Sequence, residues 1–434
     1  MFQTLRNAWK IEDLRKKLLF TLLILVIVRL GCAIPVPFLD PSRLQEMLDS
    51  TQGNLLGYLN LLTGGAFAEA TLFALGVSPY ITASIVIQLL TVAIPSLERM
   101  AKEGPEGQKK IKKITRYSTI GLAILQAYAY YPLLRSSQFN AVKYTTGAAG
   151  WISGIAIVLA FSAGAMLVVW LGERIDEKGI GNGISLILFA GIVARIPTLI
   201  TRLITYIQLG EFYPQYYVWV PLVVILFIAM IAFIVLMNGA ERRIPVQYAK
   251  RIVGRKQYGG QNTYMPIKVN MSGVLPIIFA STFLAIPGTI VGFVDPNAEG
   301  GFAKFISNVF STNSIWYALL YFILIILFNY FYIAIQYNPI EMANNIRKNN
   351  GAIPGIRPGK PTSDFISRII SKTTLTGALM LAVIAILPII LGAVANMNIS
   401  MGGTSIIIVV GVALDTARSL ESQMMMRHYK GFLE

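Results

Sequence analysis

Long apolar stretches recur along the whole chain, and polar segments separate them. Most stretches hold about 20 residues, which is the length that a helix needs to cross a bilayer core of ~30 Å. The pattern therefore predicts an all-α polytopic membrane protein in which each stretch is a spanning helix. The ten predicted runs cover residues 18–34, 72–94, 117–134, 151–171, 184–204, 218–237, 274–293, 316–335, 375–391 and 404–420.

Positive charge is concentrated in alternate loops. The segment before the first run, the loops after the second, fourth, sixth and eighth runs and the C-terminal tail carry most of the 37 lysines and arginines. The other loops hold only Arg43, Arg135, Lys143 and Lys304. Lysine and arginine accumulate on the cytoplasmic side of a membrane. We therefore expect both termini in the cytoplasm, and some of the net charge of +16 to meet anionic lipids.

The first 17 residues carry Phe2, Leu5 and Trp9 at helical spacing among basic residues. This pattern predicts a cytoplasmic amphipathic helix over 1–17 that lies in the membrane interface.

The residues that most enzymes need are scarce. The chain has one histidine, His428, and one cysteine, Cys32, which leaves no metal cluster and no Cys/His pair. Residues 355–362 resemble a phosphate-binding loop only faintly, since Pro361 stands where that loop has Ser or Thr. We expect no enzyme activity, cofactor, metal or direct nucleotide binding. No charged relay lies at the centre of a run, which weakens the interpretation as an ion-coupled transporter.

The second run begins irregularly. Glycines 64, 65 and 76 and Pro79 bracket residues 61–75, which are too few to cross a membrane and include Glu69. Broken helices at membrane depth are tolerated only inside protein or beside a water-filled cavity. Two interpretations stay open: an interfacial helix on the outer surface, or a re-entrant helix that fills a cavity from outside. Val77 and Ile81 share one helical face, which by itself indicates no function.

Two predicted cytoplasmic loops carry more positive charge than is needed to keep them on the cytoplasmic side of the membrane. Loop 239–270 contains tyrosines and the glycine pair at 259 and 260, which predict a protruding hairpin. Loop 337–374 surrounds its basic residues with prolines. Such charge suits lipid headgroups, an acidic protein or RNA phosphates. A hairpin that points away from lipid favours a macromolecular partner.

Five segments in chain order resemble the SecY family, the channel subunits of the bacterial Sec protein translocase. They cover residues 75–90, 181–186, 268–279, 351–360 and 402–406, and the resemblance runs essentially end to end. It implies about ten transmembrane helices in two inverted, pseudo-symmetric halves around a central hourglass pore, with a short re-entrant plug helix. The implied units are a first half over 18–206 with the plug at 61–75, an external hinge loop over 207–217, a second half over 218–421 with cytoplasmic loops 239–270 and 337–374, and a cytoplasmic tail over 422–434.

The resemblance also implies roles for individual residues. The family often has isoleucine in the pore ring, so Val77 and Leu188 depart from its pattern but remain aliphatic. The implied sets are a pore ring of Val77, Ile81, Leu188, Ile278 and Ile408; a plug with Leu61, Gly64, Gly65, Phe67, Glu69 and Leu72; a lateral gate with Thr82, Gln88, Asn270 and Ile286; and partner-binding loop residues Arg242, Arg243, Arg255, Lys256, Arg357 and Lys360.

The implied function is that of a protein-conducting channel subunit in the bacterial plasma membrane. Such a subunit translocates unfolded polypeptides and releases hydrophobic segments laterally into the bilayer. The implied partners are the small membrane subunits SecE and SecG, the SecA ATPase, the ribosome, signal peptides with their unfolded polypeptides, and anionic lipids. From the residues alone, a secondary transporter and a lipid-handling or polysaccharide-synthesis enzyme remain as alternatives.

Overall fold

The computed structural model describes residues 2–44, 65–135, 141–248, 251–253, 256–258, 262–294, 301, 305–306, 309–310, 314–395, 397 and 403–430. Its main helices are α1 (Phe2–Lys10), α2 (Glu12–Gly31), α3 (Ser78–Ala93), α4 (Pro95–Lys102), α5 (Pro105–Arg135), α6 (Gly147–Lys178), α7 (Gly183–Val193), α8 (Ile196–Leu209), α9 (Tyr216–Gly239), α10 (Leu275–Val294), α11 (Ile315–Gln336), α12 (Pro339–Lys348), α13 (Lys360–Ala395) and α14 (Gly403–Lys430). Its strands are β1 (Glu241–Tyr248), β2 (Arg251–Val253), β3 (Lys256–Tyr258), β4 (Asn262–Lys268) and β5 (Gly351–Ala352).

Each of the ten predicted apolar runs overlaps one or two of these helices. Within the described residues, six helical segments are long and apolar enough to cross a membrane, or seven if the bent pair α3 and α4 is one span. This criterion supports a multi-pass membrane protein, but it does not confirm the count of ten. The bend of 102° between α3 and α4 occurs just before Pro95, where proline disfavours helical geometry in the preceding residue.

The N-terminal segment forms two helices that separate at Ile11. Glu12 and Asp13 lie in the first turn of α2, where negative charge stabilises the helix dipole. The predicted segment 1–17 therefore contains α1 and the start of the first long helix. Ala8 packs with Leu420 of α14, so part of α1 lies against protein rather than lipid, while Trp9 stays half exposed.

The predicted hairpin in loop 239–270 is confirmed, because β1 and β4 pair antiparallel with Glu241 opposite Lys268. The sheet has a third strand that the sequence did not predict. Strand β5 comes from the other basic loop and pairs antiparallel with β1, with Gln247 opposite Ala352. A small core beneath the sheet includes Ile244, Ile353 and other apolar side chains. The two basic loops are therefore one folded unit.

Three apolar cores organise the membrane part. The first joins α5 and α6 to segment 65–77, and the second joins α9, α10, α11, α13 and α14. The third combines side chains of α2, α6 and α7 with side chains of α10 and α14. The connection between α8 and α9 falls inside the predicted hinge 207–217, so the third core joins the two predicted halves. The boundaries of those halves stay a prediction. Helix α14 extends to Lys430, so the predicted tail over 422–434 begins as helix.

Candidate functional site: an aliphatic ring between the two halves

Four helices begin close to the predicted ring, and two of them have a clear local reason to begin there. Helix α3 starts at Ser78 with Pro79 in its first turn, where the missing N–H costs nothing. Helix α7 starts after Asn182, whose side chain accepts a hydrogen bond from the Ser185 N–H at 3.0 Å. Helices α10 and α14 begin at Leu275 and Gly403. The ring residues therefore lie beside or within the first two turns of these helices.

The structure brings all five predicted ring residues into the third core. Leu188, Ile278 and Ile408 are buried, with exposed fractions of 5%, 8% and 2%. Val77 is buried as well, and Ile81 packs against the cluster while partly exposed. None of these side chains carries a donor or acceptor. The cluster is thus an aliphatic contact between the two predicted halves, and its role as a pore ring stays a prediction.

The predicted plug is not a regular helix in its described part. Residues 65–77 form consecutive turns, and Leu61 and Gly64 lie outside the described residues. The backbone has positive φ angles at Gly65 (97°), Ala70 (48°) and Gly76 (52°), which a right-handed helix does not allow. The expectation of a helix over 61–75 is therefore wrong for residues 65–75.

Two backbone hydrogen bonds tie this segment to the residues that follow α2. The Val36 N–H donates to the Ala70 carbonyl and the Leu72 N–H donates to the Ile34 carbonyl, each at 2.9 Å. The segment also lies directly on α6, because a Cβ added to Gly164 would stand 1.8 Å from the Leu72 carbonyl oxygen. Small residues within a spanning helix allow such close approach, and this is the signal that the sequence analysis missed.

The side chains of the segment point to two different cores. Phe67 is 1% exposed and its ring meets the Tyr130 ring edge-on at 5.5 Å, in the core of α5 and α6. Leu72 packs instead against the core that contains Ile278. Glu69 is exposed. A helix lying on the outer surface would not bury Phe67 among protein side chains, so the geometry favours the cavity-filling interpretation.

We predict that Gly164→Ala raises the resting ion conductance of the channel in planar bilayers and lowers its thermal midpoint in detergent. The added methyl group would clash with the Leu72 carbonyl, and overpacking of this kind costs ~1–3 kcal/mol. Gly121→Ala is the matched control, since a Cβ there meets nothing within 4 Å. A Gly164→Ala channel as tight and stable as the control would show that contact with α6 does not hold the segment.

The predicted gate residues Thr82 and Gln88 lie on α3, Asn270 lies just before α10, and Ile286 lies within α10. The Thr82 hydroxyl donates to the Ser78 carbonyl at 3.1 Å, and Gln88 is half-buried. The Asn270 amide donates to the Asn238 side-chain oxygen at 2.8 Å and lines a cavity of about 340 Å³. The side chain of Ile286 lies outside the described set. Among the described residues, α3 packs mainly along α5 and α10 along α11, so α3 and α10 share no extensive interface.

The basic residues of the two loops surround the three-stranded sheet. Arg242, Arg243, Arg357 and Lys360 are exposed, and Arg243 pairs with Glu241 at 2.8 Å. Lys256 lies in β3, but its side chain is outside the described set, as is the whole of Arg255. The partner-binding role of all six residues stays a prediction.

Solved structures that resemble this fold are membrane channels. One described as a protein-conducting channel aligns with a TM-score of 0.63 and 19% identity, covering 94% of this chain and 92% of that one. Sec61 in a canine ribosome-channel complex aligns with a TM-score of 0.60 and 18% identity, over 94% of this chain and 92% of that one. This chain therefore shares its polytopic α-helical fold with these two structures.

Sequence comparison identifies the family. The sequence model of SecY matches residues 71–417. The protein translocase subunit SecY of Streptomyces coelicolor is 44% identical over 100% of both chains, and that of Aquifex aeolicus is 43% identical, again over 100% of both. The protein of the same name from Thermotoga maritima is 40% identical over 100% of this chain and 98% of its own. The chain belongs to the SecY family.

Proposed function

We propose that this chain is the channel subunit of a protein translocase, and that it carries no enzymatic activity of its own. It conducts unfolded polypeptides across the bacterial plasma membrane and releases hydrophobic segments sideways into the bilayer. The observation that carries this proposal is the aliphatic cluster of Val77, Ile81, Leu188, Ile278 and Ile408, to which both predicted halves contribute side chains.

The chemistry of the cluster explains how a channel can block ions and still accept polypeptides of many sequences. Aliphatic side chains cannot replace the hydration shell of an ion, so a narrow aliphatic constriction blocks water and salt by dewetting. The same side chains offer no directional hydrogen bonds and therefore grip no particular sequence. An extended polypeptide of almost any composition can push these side chains apart. The side chains then pack around the polypeptide and exclude ions.

Segment 61–75 would supply a second seal on the outer side of the ring. Its described part rests against α2 and α6 and places Leu72 against the ring core. Opening then requires that the contacts of Leu72 break. The limited contact between α3 and α10 supports a lateral gate there, because parting two helices that share little interface costs little packing energy.

Energy must come from a partner, since the chain offers no nucleotide-binding motif that would make it a motor. We propose the SecA ATPase and the ribosome as partners at the basic unit formed by the two loops, and SecE and SecG as membrane subunits. Two fold relatives, Sec61 and the yeast Ssh1 complex, are described in ribosome-bound complexes. Signal peptides and unfolded polypeptides are the proposed substrates. Anionic lipids would meet the remaining positive charge, with both termini in the cytoplasm.

We expect co-purification from native membranes to identify the translocase. Mild detergent extraction should recover small membrane proteins and a large ATPase bound to this chain. Reconstituted vesicles containing the complex should protect an unfolded secretory polypeptide from external protease when ATP is present. Uptake of a small solute by the purified chain, without any polypeptide translocation, would favour a secondary transporter and contradict the proposal.

A further inference from the structure

Two ion pairs join the end of α6 to α5, away from the aliphatic ring. The Arg116 guanidinium meets the Glu173 carboxylate at 2.5 Å, and Lys112 lies 3.7 Å from Asp176. The Glu173 side chain is only 7% exposed, whereas that of Arg116 is 49% exposed. Within the described residues, the second oxygen of Glu173 is buried and has no hydrogen-bond partner. Arg116 is therefore the cation that compensates a buried carboxylate.

The same network reaches the start of α7. The Gly183 N–H donates to the Asp176 carboxylate at 2.7 Å, which ties the first residue of α7 to α6. The two backbones are in direct contact there, since a Cβ added to Gly183 would stand 2.0 Å from the Gly172 carbonyl oxygen. Leu188 lies in the second turn of α7. Because α7 is a regular helix from Gly183 to Val193, the position of its first turn fixes where Leu188 lies in the next turn.

Helix α3 packs along α5, the helix that carries Lys112 and Arg116. Tyr80 of α3 packs against the ring core directly before Ile81. Two of the five ring residues, Ile81 and Leu188, thus belong to helices that flank this charged network.

We propose that the Arg116–Glu173 and Lys112–Asp176 pairs are positioning pairs that hold α7, and with it Leu188, in the closed ring. This inference rests on the proposed function. A buried carboxylate is costly unless it is paired, so α5 and α6 have one favourable arrangement at this level of the membrane. Displacing α5 leaves Glu173 uncompensated and loosens the Asp176 contact to α7. The position of Leu188 in the ring therefore depends on charged residues that are not part of the ring.

The test is the resting ion conductance of purified channels in planar bilayers. We expect Glu173→Gln and Arg116→Gln each to raise it roughly tenfold, which corresponds to ~1.4 kcal/mol of lost preference for the closed state. The matched control is Glu177→Gln on the same helix, because Glu177 forms an exposed ion pair with Arg174 at 2.6 Å. Leu188→Asn is the positive control for the ring itself.

The double variant Arg116→Gln/Glu173→Gln separates positioning from the cost of an unpaired charge. This variant contains no uncompensated carboxylate at position 173, but it also lacks the ion pair that joins α5 to α6. We therefore expect its resting ion conductance to be as high as that of the single variants. A return to the tightness of the unmodified channel would overturn the proposal. So would a tight Glu173→Gln channel beside a leaking Leu188→Asn channel, whereas a tight Leu188→Asn channel would refute the ring assignment and the proposed seal.

Reduced yield of the Glu173→Gln protein would not end the test. Arg116→Lys keeps a cation beside Glu173 and should remain within about twofold of the unmodified conductance, because the charge that matters is retained. Equal conductance of the Arg116→Lys and Arg116→Gln channels would contradict a positioning role for the pair.

Discussion

The triple variant Ile81→Asn/Ile278→Asn/Ile408→Asn should conduct ions at rest at least about tenfold better than the unmodified channel. Each asparagine places an amide in a cluster whose members now offer no hydrogen bond, so water can occupy the constriction. Burying an amide without a partner costs ~1–3 kcal/mol on scales from protein mutants, and the entering water removes that cost. Planar-bilayer recordings in the absence of substrate measure the effect directly.

The matched control replaces the same three residues with valine. Valine keeps the ring aliphatic and removes only one methylene per site, at a cost of ~0.5–1.5 kcal/mol each. We expect this channel to stay tight, with a lower thermal midpoint. If the asparagine channel also stays tight, the five residues form an ordinary packing core and the constriction lies elsewhere.

The spanning helices and the hairpin could be predicted from the sequence because their signals are local. A run of about 20 apolar residues predicts a spanning helix wherever it occurs. Gly254 and the glycine pair at 259 and 260 mark a turn and predict a hairpin in loop 239–270. Strand β5 was missed because its partner lies about a hundred residues away. Two residues, Gly351 and Ala352, are too short a segment to show any period.

The conformation of segment 65–77 could not be predicted for a different reason. Glycines at 65 and 76 permit positive φ, but Ala70 adopts it at 48° although left-handed geometry costs alanine about 1–2 kcal/mol. The compensation comes from distant backbone, since the Ala70 carbonyl accepts a hydrogen bond from the Val36 N–H. A half-length helix was the reasonable expectation from composition alone, and the tertiary contacts with α2 and α6 override it.

The ring was predictable only through resemblance. In the sequence, Val77 and Ile81 are two aliphatic residues among many, and nothing in their spacing relates them to Ile408. Their common core depends on the packing of six helices. The positioning pairs were missed as well, since Arg116 and Glu173 are 57 residues apart and no local pattern relates them.

Arg357→Glu should abolish translocation driven by the SecA ATPase while the channel still inserts into the membrane normally. Arg357 is exposed in the turn before α13, and its carbonyl accepts a hydrogen bond from the Thr362 hydroxyl at 2.8 Å. Charge reversal therefore leaves the fold intact, since exposed substitutions usually change stability by less than about 0.5 kcal/mol. The change instead places a repulsive charge at the proposed docking surface.

Reconstituted vesicles separate a docking role from a purely topological one. If Arg357 only keeps its loop inside, the neighbouring lysines and arginines compensate and the Arg357→Glu channel translocates normally, which would refute the docking assignment. Lys348→Glu is the control, because it makes the same change in net charge on the exposed face of α12 in the same loop. A specific contact predicts a far larger loss at Arg357 than at Lys348. It also predicts that SecA binding to the unmodified channel weakens with salt, since exposed charges are screened beyond ~8–10 Å at physiological ionic strength. Equal losses in both variants would instead indicate a diffuse attraction to the positive charge of the whole loop.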